Sequence, residues 1–72
     1  MYKILGTPTC NFCGSAKELL SSRGDEYEYV DITKDTEALS LFREKGFRTV
    51  PQIFTDTGEH IGGYQDLVEY LR

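Results

Sequence analysis

The sequence has no long apolar run, and this absence excludes a membrane-spanning helix, which needs about 20 predominantly apolar residues. Its 72 residues are enough for one domain only. We therefore expect residues 1–72 to form a single domain without a membrane segment. The opening stretch reaches Gly6 and Pro8 without the apolar region of a signal peptide, so we expect a cytoplasmic location.

Positive charge is also scarce, since eight Lys and Arg stand against twelve Asp and Glu, a formal net charge of -4. Binding to a phosphate backbone or to an anionic membrane surface depends on clustered cations. The charge balance therefore argues against nucleic acid and membrane as partners. With 39% hydrophobic and 28% charged residues, the composition is typical of a folded chain rather than a disordered one.

Cysteine occurs only twice, at Cys10 and Cys13, and histidine only once. A zinc site commonly needs four such ligands, so zinc bound within the monomer is disfavoured. A structural disulfide would close a very short loop, worth roughly 2 kcal/mol, and a reducing compartment opposes it. Two inert buried thiols are a third alternative, and redox chemistry is the interpretation that we favour.

The residue pattern predicts the element order β-α-β-α-β-β-α. Strands are predicted at 3–5, 27–32, 50–54 and 59–61, with a turn at 56–58 before the last one. Helices are predicted from about Asn11 to Gly24, from Asp35 or Thr36 to near Gly46, and after Gly63. A crossover helix makes the first two strands parallel, and the tight turn makes the last two antiparallel. We therefore predict an α/β fold, a mixed four-stranded sheet flanked by helices.

Apolar residues at three- and four-residue spacing define the predicted inner face of each helix. These residues are Phe12, Ala16, Leu19 and Leu20, then Ala38, Leu39, Leu41 and Phe42, then Leu67, Val68, Tyr70 and Leu71. Two polar residues are expected outside the core. His60 is predicted to be solvated on an exposed strand, and Lys17 to face outward from the first helix, close in sequence to the cysteines.

The cysteine pair falls where the first predicted strand has ended and the first helix begins. Unpaired backbone N–H groups and the helix macrodipole favour an anion at this position, and a thiolate on Cys10 is such an anion. Cys13 lies about one helical turn later, near enough to attack a mixed disulfide on Cys10. We interpret the pair as the nucleophile and the resolving thiol of thiol–disulfide exchange.

Two later segments are also candidates for the site. Pro51 lies inside a short predicted strand, which requires either a cis bond after Val50 or an edge strand, and both alternatives stay open. Gly62 and Gly63 precede the last helix, where close backbone approach and a helix N-terminus can hold a carboxylate. A simple turn would produce the same pair of glycines.

Together, the segments Thr9–Cys13, Thr49–Phe54 and His60–Leu67 resemble the glutaredoxin family, whose fold is thioredoxin-like. The resemblance covers essentially the whole chain, with the three segments in the family's order and spacing. It implies a glutathione-dependent thiol–disulfide oxidoreductase that reduces protein disulfides or glutathione mixed disulfides. Glutathione would be the reductant, and disulfide-containing proteins such as ribonucleotide reductase would be partners. We expect a monomer.

The resemblance also implies the role of each site residue. Cys10 would be the nucleophile and Cys13 the resolving thiol. Glutathione would bind to Phe12, Arg48, Thr49, Val50, Pro51, Gly63, Tyr64, Gln65 and Asp66. Thr49 and Val50 would pair with the glutathione backbone, and residues 63–66 would hold its γ-glutamyl end.

Two positions depart from the family's pattern. Thr7 stands where members often carry Lys, which bears on glutathione affinity, and Arg48 is the candidate replacement cation. Asn11 stands where many dithiol members have Pro, which is expected to alter the redox potential. In related proteins a residue other than Pro accompanies glutathione-ligated [2Fe–2S] binding. Two alternative functions therefore stay open: an iron–sulfur carrier, and a redoxin reduced by thioredoxin reductase, which Gly46-Phe47-Arg48 suggests.

Overall fold

The computed structural model describes residues 1–72 and contains seven regular elements in the predicted order. The strands β1 to β4 span Tyr2–Gly6, Tyr27–Asp31, Gln52–Phe54 and His60–Gly62. The helices α1 to α3 span Asn11–Ser22, Thr36–Glu44 and Tyr64–Tyr70. The predicted α/β fold class is confirmed, because the strands form one four-stranded mixed sheet in the order β2-β1-β3-β4.

Strand β1 lies in the middle of the sheet and organises the core. It pairs in parallel with β2 and antiparallel with β3, which in turn pairs antiparallel with β4. Successive side chains of a strand point to opposite faces. Ile4 therefore packs in one cluster with residues of α1 and α3, whereas Leu5 packs with α2 on the other face. This arrangement places α1 and α3 on the same side of the sheet.

The sequence left two candidates for the N-cap of α2, Asp35 and Thr36, and the structure has Asp35. Asp35 is the N-cap residue, and its Oδ1 accepts a hydrogen bond from the N–H of Ala38 at 3.0 Å. A capping carboxylate also interacts favourably with the positive end of the helix. The alternative, a cap at Thr36, is wrong because Thr36 is the first residue of the helix.

The third strand begins two residues later than predicted. Val50 and Pro51 precede β3, and the peptide bond that joins them is cis. Strand β3 lies between β1 and β4, so the edge-strand explanation of Pro51 is wrong. The last strand likewise ends at Gly62 rather than at Ile61.

Three residues predicted on the inner faces of helices are exposed instead. Phe12 is 59% exposed, Leu41 39% and Tyr70 53%. In α1 the buried positions are Cys13, Ala16 and Leu20, and Phe12 lies about 100° around the helix from Cys13. Leu41 likewise lies about 100° around α2 from its buried neighbour Phe42. Tyr70 ends α3, of which only Leu67 is buried.

None of the three helices combines the length and the apolar character that a membrane span requires.

Candidate active site

Cys10 is the N-cap residue of α1, as the sequence predicts. Its backbone is extended, with φ -86 and ψ 112, and its Sγ accepts a hydrogen bond from the N–H of Cys13 at 3.2 Å. The N–H of Cys10 donates to the carbonyl of Thr7, also at 3.2 Å. The side chain is half-buried. A sulfur that accepts a main-chain N–H at a helix N-terminus occupies a position that favours negative charge.

Cys13 is buried beneath the first turn of α1, with 2% of its surface exposed. Its sulfur lies against Gly6, the last residue of β1, and a Cβ atom at Gly6 would overlap that sulfur. Tyr29 of β2 approaches the same glycine, 3.2 Å from where the Cβ would stand. The packing of Cys13 therefore requires glycine at position 6. From the sequence alone, Gly6 is only the residue that follows the first predicted strand.

The two thiols are free and differ in their surroundings. Burial, followed by the hydrogen bond with Cys10, raises the pKa of Cys13 to about 12. The positive charge of Lys17 acts in the opposite direction, but its effect on the pKa of Cys13 is weaker than that of burial. At neutral pH Cys13 is therefore a protonated, enclosed thiol, and Cys10 is the sulfur that an incoming disulfide can reach.

A surface groove of about 330 Å³ lies beside the cysteine loop. It brings together eight of the nine residues that the resemblance assigns to glutathione, from the start of α1, the segment before β3 and the start of α3. These are Phe12, Thr49, Val50, Pro51, Gly63, Tyr64, Gln65 and Asp66. Arg48, the ninth, is exposed and does not line the groove.

The exposed ring of Phe12 forms one side of this groove. It stacks on the ring of Tyr64 with a centroid distance of 5.9 Å and an interplanar angle of 22°. The contact joins α1 to α3 directly beside the cysteine loop. Phe12 was placed in the hydrophobic core by its spacing, but it serves as part of the groove wall.

The main chain at Val50 is available to a ligand. Its N–H and C=O form no hydrogen bond with another main-chain group, and Val50 lines the groove. An extended peptide bound there can satisfy both groups, as a paired strand does.

Asp66 caps the last helix, which is one of the two roles that its place after the paired glycines allows. Its Oδ2 accepts a hydrogen bond from the N–H of Gly63 at 3.0 Å, which caps α3. Gly62 has φ +125, and a Cβ atom there would overlap the Asp66 carboxylate. Glycine is therefore needed at position 62, whereas Gly63, with φ -87, has an ordinary backbone conformation.

Two polar side chains make contacts beyond their predicted surroundings. Lys17 lies over the ring of Tyr29, with its Nζ 3.7 Å from the ring centroid, so it is held against the sheet beside Cys13. His60 is exposed, as predicted, but its ring also stacks on Phe47 at 4.8 Å, and its Nε2 lies 2.7 Å from Oε1 of Gln52. The sequence spacing gives no signal for either contact, because both join separate elements.

A larger surface depression, about 630 Å³, lies between β2 and the start of α2. It is lined by acidic side chains, among them Asp31, whose pKa is lowered by hydrogen bonds from Thr33. No residue of the cysteine loop lines this depression, whereas Phe12 of that loop lines the smaller groove, and no group of three potential metal ligands occurs in the chain. The chemistry therefore belongs to the cysteine loop and the smaller groove.

The family model described as Glutaredoxin matches residues 2–61. Glutaredoxin 3 of Escherichia coli (strain K12) is 42% identical over 66 residues, which cover 90% of this chain and 78% of that protein. Hybrid peroxiredoxin hyPrx5 of Haemophilus influenzae is 40% identical over 68 residues, 94% of this chain, but the match spans only 28% of that longer protein.

A solved glutaredoxin structure has a closely similar fold. The buckwheat glutaredoxin–glutathione complex superposes with a TM-score of 0.82 at 27% identity. The superposition covers 99% of this chain and 67% of the buckwheat chain.

We expect the reduced protein to lose stability in alkaline solution because of Cys13. Unfolded Cys13 releases its proton near pH 9.0, whereas the folded protein retains it until about pH 12. Between these values the unfolded state binds fewer protons, so the free energy of unfolding falls as the pH rises. The loss is about 1.4 kcal/mol between about pH 8 and about pH 10.

Urea unfolding under reducing conditions measures this loss, with Cys13→Ala as the control because alanine does not titrate. Between about pH 8 and about pH 10, the free energy of unfolding should fall by about 1.4 kcal/mol less in the alanine variant than in the wild type. Equal losses in the two proteins would contradict the buried, protonated state of Cys13.

Proposed function

This chain belongs to the glutaredoxin family, and on that premise we propose that it is a glutathione-dependent thiol–disulfide oxidoreductase. Members of the family are thiol–disulfide oxidoreductases, so the type of reaction follows from membership. The use of glutathione, the protein substrates and the residue roles are the parts that we propose. The observation that carries the proposal is the convergence of three separate segments on one groove, which Phe12, between the two cysteines, helps to line.

In the first step, the thiolate of Cys10 attacks one sulfur of a substrate disulfide. The substrate S–S bond breaks, a mixed disulfide forms on Cys10, and the other substrate sulfur leaves as a thiolate that takes a proton from solvent. The position of Cys10 at the N-cap of α1 supports this role, since the helix terminus stabilises the anion that attacks.

In the second step, Cys13 attacks the sulfur of Cys10, and its proton passes to solvent. A Cys10–Cys13 disulfide forms, and the second substrate sulfur leaves as a thiolate. Two molecules of glutathione then reduce this disulfide and are themselves joined as glutathione disulfide, so the electrons balance. The one-turn separation supports this role, because the main-chain N–H of Cys13 already contacts the Cys10 sulfur.

We propose that the groove holds glutathione through main-chain and side-chain groups of three segments. The free N–H and C=O of Val50 would pair with the peptide, and the aromatic rings of Phe12 and Tyr64 would flank it. The first turn of α3 would receive the γ-glutamyl carboxylate, and Asp66 its ammonium group. Arg48 adjoins Thr49 in sequence and is the candidate cation for the glycyl carboxylate.

Protein disulfides, with ribonucleotide reductase among them, are the proposed partners, and this part rests on the family resemblance. We also propose that residues 1–72 act as one monomeric domain in the cytoplasm. No contact in the cysteine loop favours the iron–sulfur alternative over the dithiol, and we do not propose it.

We expect NADPH oxidation in a coupled assay with glutathione, glutathione reductase and a small glutathione mixed disulfide. Cys10→Ser should abolish turnover because it removes the nucleophile. Cys13→Ser should retain turnover of this substrate, which needs only Cys10, but should lose the dithiol reduction of a protein disulfide.

The same assay with thioredoxin reductase in place of glutathione and its reductase is the matched control. Turnover only with thioredoxin reductase would overturn the proposal in favour of the redoxin alternative. Full reduction of a protein disulfide by Cys13→Ser would contradict the role of Cys13.

We expect Asp66→Asn to raise the KM for the glutathione mixed disulfide about tenfold, since a charged hydrogen bond is worth roughly 1.5 kcal/mol. Asparagine retains an oxygen for the Gly63 N–H, so the helix cap survives while the negative charge is removed. Steady-state kinetics measures the change, and Glu69→Gln, further along α3, is the control. An unchanged KM would show that Asp66 only caps the helix.

A further inference from the structure

The side chain of Gln52 links the groove to the last strand. Gln52 is the first residue of β3 and is 8% exposed. Its Nε2 lies 3.0 Å from the carbonyl oxygen of Thr49 and 3.4 Å from the Thr49 hydroxyl. Its Oε1 lies 2.7 Å from Nε2 of His60. One buried amide thus connects Thr49, on the groove, with His60 on β4.

The direction of each hydrogen bond is fixed by chemistry. A main-chain carbonyl can only accept, so the amide nitrogen of Gln52 must face Thr49 and the amide oxygen must face His60. His60 must then donate, which requires a hydrogen on Nε2. Both the charged imidazolium and the neutral Nε2–H tautomer meet this requirement, whereas the Nδ1–H tautomer does not.

The imidazole is held for this contact by two aromatic rings. Its centroid lies 4.8 Å from that of Phe47, nearly parallel to it, and 5.1 Å from that of Phe54. Phe54 belongs to the cluster beneath α2, and Phe47 packs against it. The donor is therefore anchored to the core although His60 itself lies at the surface.

Residues 48–51 form no hydrogen bond within the protein other than those between Gln52 and Thr49. Residues 48–51 form no main-chain hydrogen bond with one another or with the rest of the chain. The bonds from Gln52 to Thr49 are the only side-chain hydrogen bonds to this segment. Thr49 and Val50 nevertheless line the groove, where their main-chain orientation decides what an extended ligand can meet.

We propose that His60 and Gln52 are positioning residues for this groove. The pair fixes the carbonyl of Thr49, and thereby the neighbouring N–H and C=O of Val50, in the orientation that binds the backbone of a thiol-bearing peptide. The proposal rests on the proposed function, since the peptide considered is glutathione. Neither side chain lines the groove, so both act through Thr49 rather than by touching the substrate.

Two substitutions isolate the link. His60→Phe keeps an aromatic ring between Phe47 and Phe54 but removes the donor. Gln52→Glu keeps the oxygen that faces His60 but replaces the donor to Thr49 by a second oxygen. Glu59→Gln, next to His60 on an exposed position, is the control.

The assay is steady-state kinetics with the glutathione mixed disulfide as the varied substrate. We expect the KM to rise about fivefold in His60→Phe, which loses one hydrogen bond, and about tenfold in Gln52→Glu, which removes the donor to the Thr49 carbonyl and sets two oxygens against each other. The value of kcat should stay within about twofold, because Cys10 and Cys13 are untouched. Glu59→Gln should behave as the wild type.

Nitrogen NMR of the wild type adds a test that needs no variant. His60 should carry a hydrogen on Nε2 at neutral pH, and a resonance pattern of the Nδ1–H tautomer would overturn the proposal even if both variants failed to fold.

The outcomes separate the two proposals. A folded wild type without glutathione-dependent turnover would overturn the proposed function and this inference with it. An active wild type with unchanged KM in folded His60→Phe and Gln52→Glu would overturn the inference alone. Equal losses in kcat and in substrate binding would indicate a general structural defect and would also contradict it.

Discussion

The hydrogen bond from the N–H of Cys13 to the sulfur of Cys10 is the interaction on which the site depends. It exists because Cys10 caps α1, and α1 can begin there because the Cys13 sulfur packs against a glycine at the end of β1. The strand, the turn and the helix thus place one sulfur at the surface and one beneath it. This difference in burial is the reason why we assign Cys10 the role of nucleophile and Cys13 that of resolving thiol.

Much of the fold could be predicted from local patterns. Alternation and spacing located all seven elements, and capping preferences narrowed the start of α2 to Asp35 or Thr36, because strand and helix periods and capping preferences are encoded within a few residues. The parallel and antiparallel directions of the first and last strand pairs followed from the crossover and the tight turn, whereas the pairing of β1 with β3 was not predicted. Of the residues that the resemblance assigns to the groove, all but Arg48 line it.

The remaining features depend on contacts between elements, which spacing does not encode. Phe12 has the spacing of a core residue, but it lies beside the buried stripe and finds Tyr64 instead. Gly6 must be glycine because of a sulfur on another element, and His60 is positioned by rings from two other segments. Such roles become visible only when the chain is folded.

The central claim is that Cys10 is the reactive sulfur and Cys13 an enclosed, protonated thiol. Alkylation of the reduced protein with iodoacetamide at neutral pH, followed by mass spectrometry of the peptides, tests it most directly. The account predicts that Cys10 is modified first and that Cys13 reacts only after unfolding in urea, which makes both accessible. Modification of Cys13 first, or of both at the same rate in the folded protein, would contradict the account.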